Sequence, residues 1–142
     1  MLNVNYITGL VDGEGSFTAY IKNIADSKER KRRVRVEPKF YLKLVEEDKE
    51  ILCQLKNYFK CGNVYLQKDR RKNHKNCYRY EVTKREDLKN KIIPFFKKNL
   101  LKFKTKIRDF KIFCQIMEVV EKNEHLTLFG LQKLYKLKQN MH

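Results

Sequence analysis

Residues 33–45 alternate between two chemistries. Val34, Val36, Phe40, Leu42 and Leu44 fall on one side, and Arg33, Arg35, Glu37, Lys39, Tyr41 and Lys43 fall on the other. Period two sustained over this length describes a strand with one buried and one wet face. Such a strand needs neighbours with the same two-faced pattern and an apolar layer behind it. Residues 16–23 supply one, with Phe17, Ala19 and Ile21 opposite Ser16, Thr18, Tyr20 and Lys22. Residues 63–68 and 77–83 read as a second strand pair. Pro38 lies on the apolar side and predicts an edge or a bulge at that point.

The backing layer is helical. Residues 3–13 read as a short helix in which Gly9 and Gly13, four apart, share a face. Each interior glycine costs up to about 1 kcal/mol relative to alanine, which close approach of another backbone offsets. Residues 48–59 carry Ile51, Leu52, Leu55 and Phe59 at helical spacing, and Gly62 follows as a stop. Thr83-x-x-Glu86 is a capping-box pattern opening a third helix, and Pro94 breaks that helix or begins the next turn. Phe110, Phe113, Met117 and Val120 repeat at three and four within residues 105–121. Thr127 is a good N-cap for a final helix to residue 140, with Leu131, Leu134 and Leu137 near one face. The order is helix, two strands, helix, two strands, then helices, with no linker. Residues 1–142 therefore read as a single α+β domain: a curved, antiparallel, four-stranded sheet backed by helices.

The chain carries 33 Lys and Arg against 17 Asp and Glu, a net charge of +16. Three stretches, 28–35, 68–79 and 97–111, together hold all of that excess. Charge gathered in this way reads as a footprint for a polyanion, with nucleic acid the first candidate and an anionic membrane surface the second. No apolar run approaches the roughly 20 residues of a membrane helix, and the N-terminus shows no secretory signal. Cys53, Cys61, Cys77 and Cys114 include no Cys-x-x-Cys, so a disulfide framework is not expected. Cys61, His74 and Cys77 with Cys53 lack zinc-knuckle spacing, and no zinc site is expected. The abundance of Lys, Asn, Ile, Phe and Tyr, all encoded by A/T-rich codons, points to an intracellular, organellar gene product of a chloroplast or mitochondrion.

Ile7-Thr8-Gly9-Leu10-Val11-Asp12-Gly13-Glu14-Gly15 resembles the nine-residue motif of the LAGLIDADG homing endonucleases, and Ser16-Phe17 continues the resemblance into the first strand. Phe40-x-Leu42-x-Leu44 followed by Asp48-Lys49-Glu50-Ile51-Leu52 resembles the family's second strand and helix. Leu101-Lys102-Phe103-Lys104-x-Lys106 resembles its basic active-site segment, and His125-Leu126-Thr127-x-x-Gly130-Leu131 the opening of its terminal helix. The resemblance implies the homing-endonuclease fold. It also implies metal-dependent hydrolysis of both strands of a long, pseudo-palindromic double-stranded DNA site, leaving 5′-phosphate and 3′-hydroxyl ends.

Strand parity puts Glu14 on the side of Thr18, Tyr20 and Lys22. A carboxylate at a helix C-terminus is electrostatically disfavoured, which marks Glu14 as functional. One Glu per chain plus DNA phosphate suits Mg²⁺, with Mn²⁺ or Ca²⁺ as substitutes. The family often has Asp at the position of Glu14. By resemblance, the Gly13 carbonyl is a second metal ligand and Lys104 is the basic residue near the scissile phosphate, with Lys102 the competing assignment. Glu46 stands where many relatives place Gln to hold the water network, which leaves that role open; Glu46 or Glu50 pairing with a lysine is the alternative. The chain holds one copy of the motif, so two chains must meet to cut two strands. A two-fold homodimer with Gly9 and Gly13 at the helix contact, flanked by Thr8 and Asp12, brings both Glu14 side chains together. Asp12 is also expected to support the helix termini.

The polar strand faces supply candidates for base contact in the major groove: Thr18, Tyr20, Lys22, Glu37, Lys39, Tyr41, Lys43, Tyr65, Gln67, Arg79 and Glu81. By residue type, Arg79 and Lys43 favour guanine, Gln67 adenine, and Glu37 or Glu81 cytosine. Arg33 and Arg35, with the loop carrying Arg70, Arg71 and Lys72, are expected at the DNA, the arginine-rich loop around Arg30 to Arg33 and the loop Arg70 to Lys75 holding phosphates. The rival readings are an RNA maturase and a non-cleaving DNA-binding protein on the same scaffold.

Overall fold

A computed structural model describes residues 2–22 and 35–142. Arg33 and the basic residues just before it lie outside the described residues. Helix α1 (Val4–Glu14) runs into strand β1 (Gly15–Lys22), and β2 (Arg35–Val45) returns antiparallel to it. A 3₁₀ turn (Glu46–Asp48) leads into α2 (Lys49–Phe59), followed by β3 (Asn63–Gln67) and β4 (Cys77–Val82). Then come α3 (Arg85–Asp87), a π-helical turn (Leu88–Ile92), α4 (Ile93–Lys98), α5 (Lys104–Glu121) and, after a 3₁₀ turn, α6 (Leu128–Gln139).

The sheet order is β1-β2-β4-β3, antiparallel throughout. The two hairpins join along β2 and β4, where Phe40 to Val45 pair with Val82 to Cys77. Pro38 is opposite Ala19 on β1, in the part of β2 that β4 does not reach. This stretch of β2 is thus an edge on its β4 side, as expected for a proline within a strand.

The alternation of each strand is obeyed. Phe17, Ala19, Val36, Phe40, Leu42, Tyr80 and Val82 are buried on the inner face against the helices. Ile7 and Val11 of α1, Leu52, Leu55 and Phe59 of α2, Leu88, Ile92 and Phe96, and Phe113 and Met117 of α5 close the main core. A second core joins Ala19 and Val36 to Ile112, Ile116, Val119 and Val120 of α5 and Leu134 of α6. Phe17 is the aromatic hub: its ring lies 5.1 Å from Phe40, 5.1 Å from Phe110, 5.4 Å from Phe113 and 5.5 Å from Phe96. Tilted and edge-on pairs at these distances add about 0.5–1.5 kcal/mol each beyond burial.

Two local expectations are corrected. Gly62 has positive φ, but the left-handed cap of α2 is Lys60 at φ 57°. The capping box at Thr83 does not form, because Lys84 is the N-cap of α3 and makes no side-chain cap bond. Pro94 does not break the chain's helical path, because the wider π turn before it leads straight on, but it does begin the next turn, sitting in the first turn of α4. A first-turn N–H has no intrahelical acceptor, so proline is tolerated there. Thr127 does cap α6, accepting the Gly130 N–H at 3.0 Å. All four cysteines are free.

Candidate functional site

Asn3 starts α1 by accepting the Tyr6 N–H at 2.8 Å. One side of the helix buries Ile7 and Val11 completely. The other presents Gly9 and Gly13, and a Cβ placed on either meets nothing within 4 Å. Nothing within the described chain thus offsets the cost of two helical glycines. Thr8 is half-exposed, its hydroxyl donating to the Val4 and Asn5 carbonyls at 3.2 and 3.0 Å.

Helix passes to strand without an intervening residue, because position 15 is glycine. A Cβ there would stand 2.6 Å from Val11 Cγ1 and 2.9 Å from the Val11 carbonyl oxygen. The tight switch fixes Glu14 at the junction, exposed and with no ion-pair partner among the described residues. Its carboxylate is thus open to solvent at the point where the helix hands over to the sheet. The Gly13 carbonyl lies in the last helical turn, where carbonyls lack intrahelical donors. Two exposed oxygen donors per chain fit a hard cation that keeps water and phosphate in its remaining positions. Among the described residues no three His, Cys, Asp or Glu side chains gather as a metal cage. Cys61 meets the Tyr80 hydroxyl, His74 faces Asp69, and Cys77 lies by the Lys75 carbonyl.

Asp12 is not at an exposed contact. It is 5% exposed, and its carboxylate accepts the N–H groups of Lys102 and Phe103, each at 3.1 Å. Its carboxylate thus ties the end of α1 to the start of α5. Phe103 is the N-cap of α5 and has no side-chain cap of its own, so Asp12 supplies the acceptor and the negative charge.

The basic segment is thereby docked under the motif. Lys102 and Lys104 are exposed and form no ion pair among the described residues. The ammonium that reaches the junction is that of Lys106, which donates to the Gly15 carbonyl, one residue beyond Glu14. Lys106 was not singled out from the sequence. Basic residues at 102, 104 and 106 look equivalent until the helical phase of α5 turns one of them inward. Glu46 is exposed after the end of β2, and neither it nor Glu50 forms an ion pair among the described residues; in the same turn Glu47 lies 2.5 Å from Lys75 Nζ.

Parity places every described candidate strand residue on the outer face. Tyr20 and Tyr65 are 51% and 42% exposed there. Lys43 and Gln67 are exposed, while Thr18 is half-buried. Arg35 pairs with Glu37 at 2.6 Å. Glu81 is contacted by Tyr65, Lys39 and Arg79. In the 68–76 loop, Asp69 accepts the backbone N–H of Arg71 at 2.9 Å and its guanidinium at 3.1 and 2.8 Å. Those bonds hold the Asp69 carboxyl well below the usual carboxylate range. Arg70 and Lys72 are exposed and form no ion pair among the described residues.

The sequence profile described as LAGLIDADG endonuclease matches residues 7–117. "Probable intron-encoded endonuclease 2" of Neurospora crassa is 35% identical over 134 residues, covering 94% of this chain and 28% of its own length. The solved homing endonuclease I-TnaI superposes with a TM-score of 0.82 at 35% identity, over 99% of this chain and 88% of its own. I-SmaMI bound to uncleaved DNA target in the presence of calcium ions gives a TM-score of 0.83 at 29% identity, over 98% of this chain and 44% of its own. The chain thus spans under a third of its curated relative and under half of one structural relative.

Proposed function

The chain belongs to the LAGLIDADG endonuclease family, and from that premise we propose that it is a site-specific, divalent-metal-dependent DNA endonuclease acting as a homodimer. The observation that carries the reading is the placement of Glu14: an exposed carboxylate, fixed by Gly15 where α1 enters the outer face of the sheet. I-SmaMI, similar over nearly the whole of this chain, is bound to DNA with calcium ions present. Mg²⁺ is the expected physiological ion, with Mn²⁺ or Ca²⁺ as substitutes, and Glu14 with the Gly13 carbonyl would hold it. Such an ion supplies activated water and charge stabilisation at the phosphate.

The chain's own residues do the rest. Asp12 holds the 102–106 segment against the motif. Lys106, and Lys104 or Lys102 beside it, offer positive charge to the phosphate undergoing displacement. The outer strand face lies along the major groove, and Arg70 and Lys72 grip phosphates. Two Glu14 centres are needed for two strands, and the open glycine face of α1 supports pairing with a second copy. No helix among the described residues is long and apolar enough to cross a membrane. An intron-encoded fungal relative supports an organellar gene.

The test is incubation with a randomised duplex library and Mg²⁺, repeated with EDTA and with Glu14→Gln. Double-strand cuts that vanish in both controls are expected. Tight binding without metal-dependent cutting would instead support the maturase or the non-cleaving DNA-binding protein.

A further inference from the structure

On the outer face of the central strand pair, one cluster is already assembled in the free chain. Tyr41 of β2 pairs with Glu81 of β4, and Tyr65 of β3 pairs with Arg79. The Arg79 guanidinium carbon lies 3.6 Å from the centroid of the Tyr41 ring, a stacked cation–π contact. Its Nε is 3.2 Å from Glu81 Oε2; that nitrogen is buried and makes no well-aligned hydrogen bond, so the contact is an ion pair. Both side chains are mostly covered, at 18% and 12% exposure. Glu81 also accepts the Tyr65 hydroxyl and lies 3.4 Å from Lys39 Nζ.

This arrangement changes what Glu81 can do. Residue type alone offers it as an acceptor for a cytosine amino group. Here three donors already converge on its two oxygens. Burial pushes its carboxyl up, but the Tyr65 hydrogen bond and the charges of Arg79 and Lys39 outweigh burial and keep it below the usual range. It is a charged anchor facing its own neighbours.

Arg79 is left with one free edge. The guanidinium face lies on Tyr41, the Nε edge faces Glu81, and neither Nη has a hydrogen bond among the described residues. Two parallel N–H donors match the adjacent O6 and N7 acceptors of guanine, whereas adenine offers a donor at the position of O6. The stack and the ion pair order a long side chain before any ligand arrives, which lowers the entropy cost of contact.

We propose that Arg79 reads a single guanine in each half of the DNA site, and that Glu81 is the positioning residue that aims it, with Tyr41 as the platform. The proposal rests on the reading of the outer sheet face as the DNA-binding surface.

The experiment starts from a site selected by the wild-type dimer, from which a panel is built with each base pair replaced by the other three. Binding and cleavage of the panel are measured for wild type, R79A, R79K, E81A, E81Q and the double variant R79A/E81A. The fold of each is checked by circular dichroism. The expected result is a guanine preference on the order of ten- to a hundredfold at one position per half-site. R79A and R79K flatten it and leave other positions unchanged. E81A flattens the same position, E81Q, which keeps an acceptor toward Nε, restores part of it, and the double variant is no worse than R79A. Should E81A fail to fold, E81Q and R79K carry the comparison. The assignment is overturned if Glu81 variants alter a cytosine preference elsewhere, if R79A weakens all panel members equally, or if the losses add. A wild-type protein that selects no duplex sequence overturns instead the reading beneath it.

Discussion

The carboxylate of Asp12 accepts the backbone N–H of Phe103 at 3.1 Å, across 91 residues of sequence. Two positions along the chain from the exposed Glu14, this second acidic residue is buried and wholly engaged. Alternate acidic residues of one motif thus stand in opposite surroundings, one open to solvent and one tying α1 to the start of α5.

Asp12→Ala removes the acceptor for two part-buried N–H groups. A loss of about 1–3 kcal/mol is expected in urea denaturation, with a smaller loss for Asp12→Asn. Cleavage falls with it as the lysine segment loosens, while gel filtration still shows a dimer. A lost dimer at unchanged stability would return Asp12 to the subunit contact.

Among the lysines of that segment, Lys106 is expected to matter most, because its ammonium is the one held at the Gly15 carbonyl. Lys106→Met should lower the cleavage rate on the order of a hundredfold with DNA affinity nearly unchanged. Lys104→Met and Lys102→Met should cost less. Single-turnover cleavage of all three ranks them.

Gly9→Leu places a side chain where the free chain has open space. Monomer stability should rise slightly, since glycine costs up to about 1 kcal/mol within a helix. Sedimentation should nonetheless show a monomer, and double-strand cutting should fail. A dimer that survives the substitution would exclude this face as the contact.

Arg70→Ala and Lys72→Ala should each reduce the salt dependence of DNA binding by about one unit of slope, equally for all sequences. Arg71 is different because it holds the loop through Asp69. The folded Asp69 carboxyl titrates below its unfolded value, so its contribution is fully present above the ordinary carboxylate pKa and is lost only as pH falls through the folded one. In a His74→Gln variant, which removes the imidazole 3.8 Å away, the Asp69 carboxyl should therefore show no protonation step by side-chain carbon NMR from neutrality down to about pH 4. A transition inside that interval would contradict the Asp69–Arg71 contact.

Phe17→Ala opens a cavity at the meeting point of four rings. A destabilisation of about 3–5 kcal/mol is expected from its denaturation midpoint.

Strand faces were legible because burial imposes period two: Phe17, Phe40 and Leu42 point inward and Tyr20, Lys43 and Tyr65 outward, as their alternation requires. The position of Glu14 was legible from the glycines that frame it. What stayed hidden depends on partners distant in sequence. The joining of the hairpins along β2 and β4 leaves no local mark, so the Arg79–Glu81–Tyr41 cluster could not be assembled from residue types. The choice of Lys106 among three lysines awaited the phase of α5. Lys60 in the left-handed region and the π turn before Pro94 are local choices that tertiary packing overrode.

The absence of any connecting residue between α1 and β1 has a mechanical consequence. In the proposed dimer, a two-fold axis set by the first helices would fix the angle at which each ribbon leaves the centre, like two blades on one rigid hub. The separation of the half-sites on the duplex would then follow from this hinge-free joint, and a single residue inserted there should change which spacing the dimer accepts.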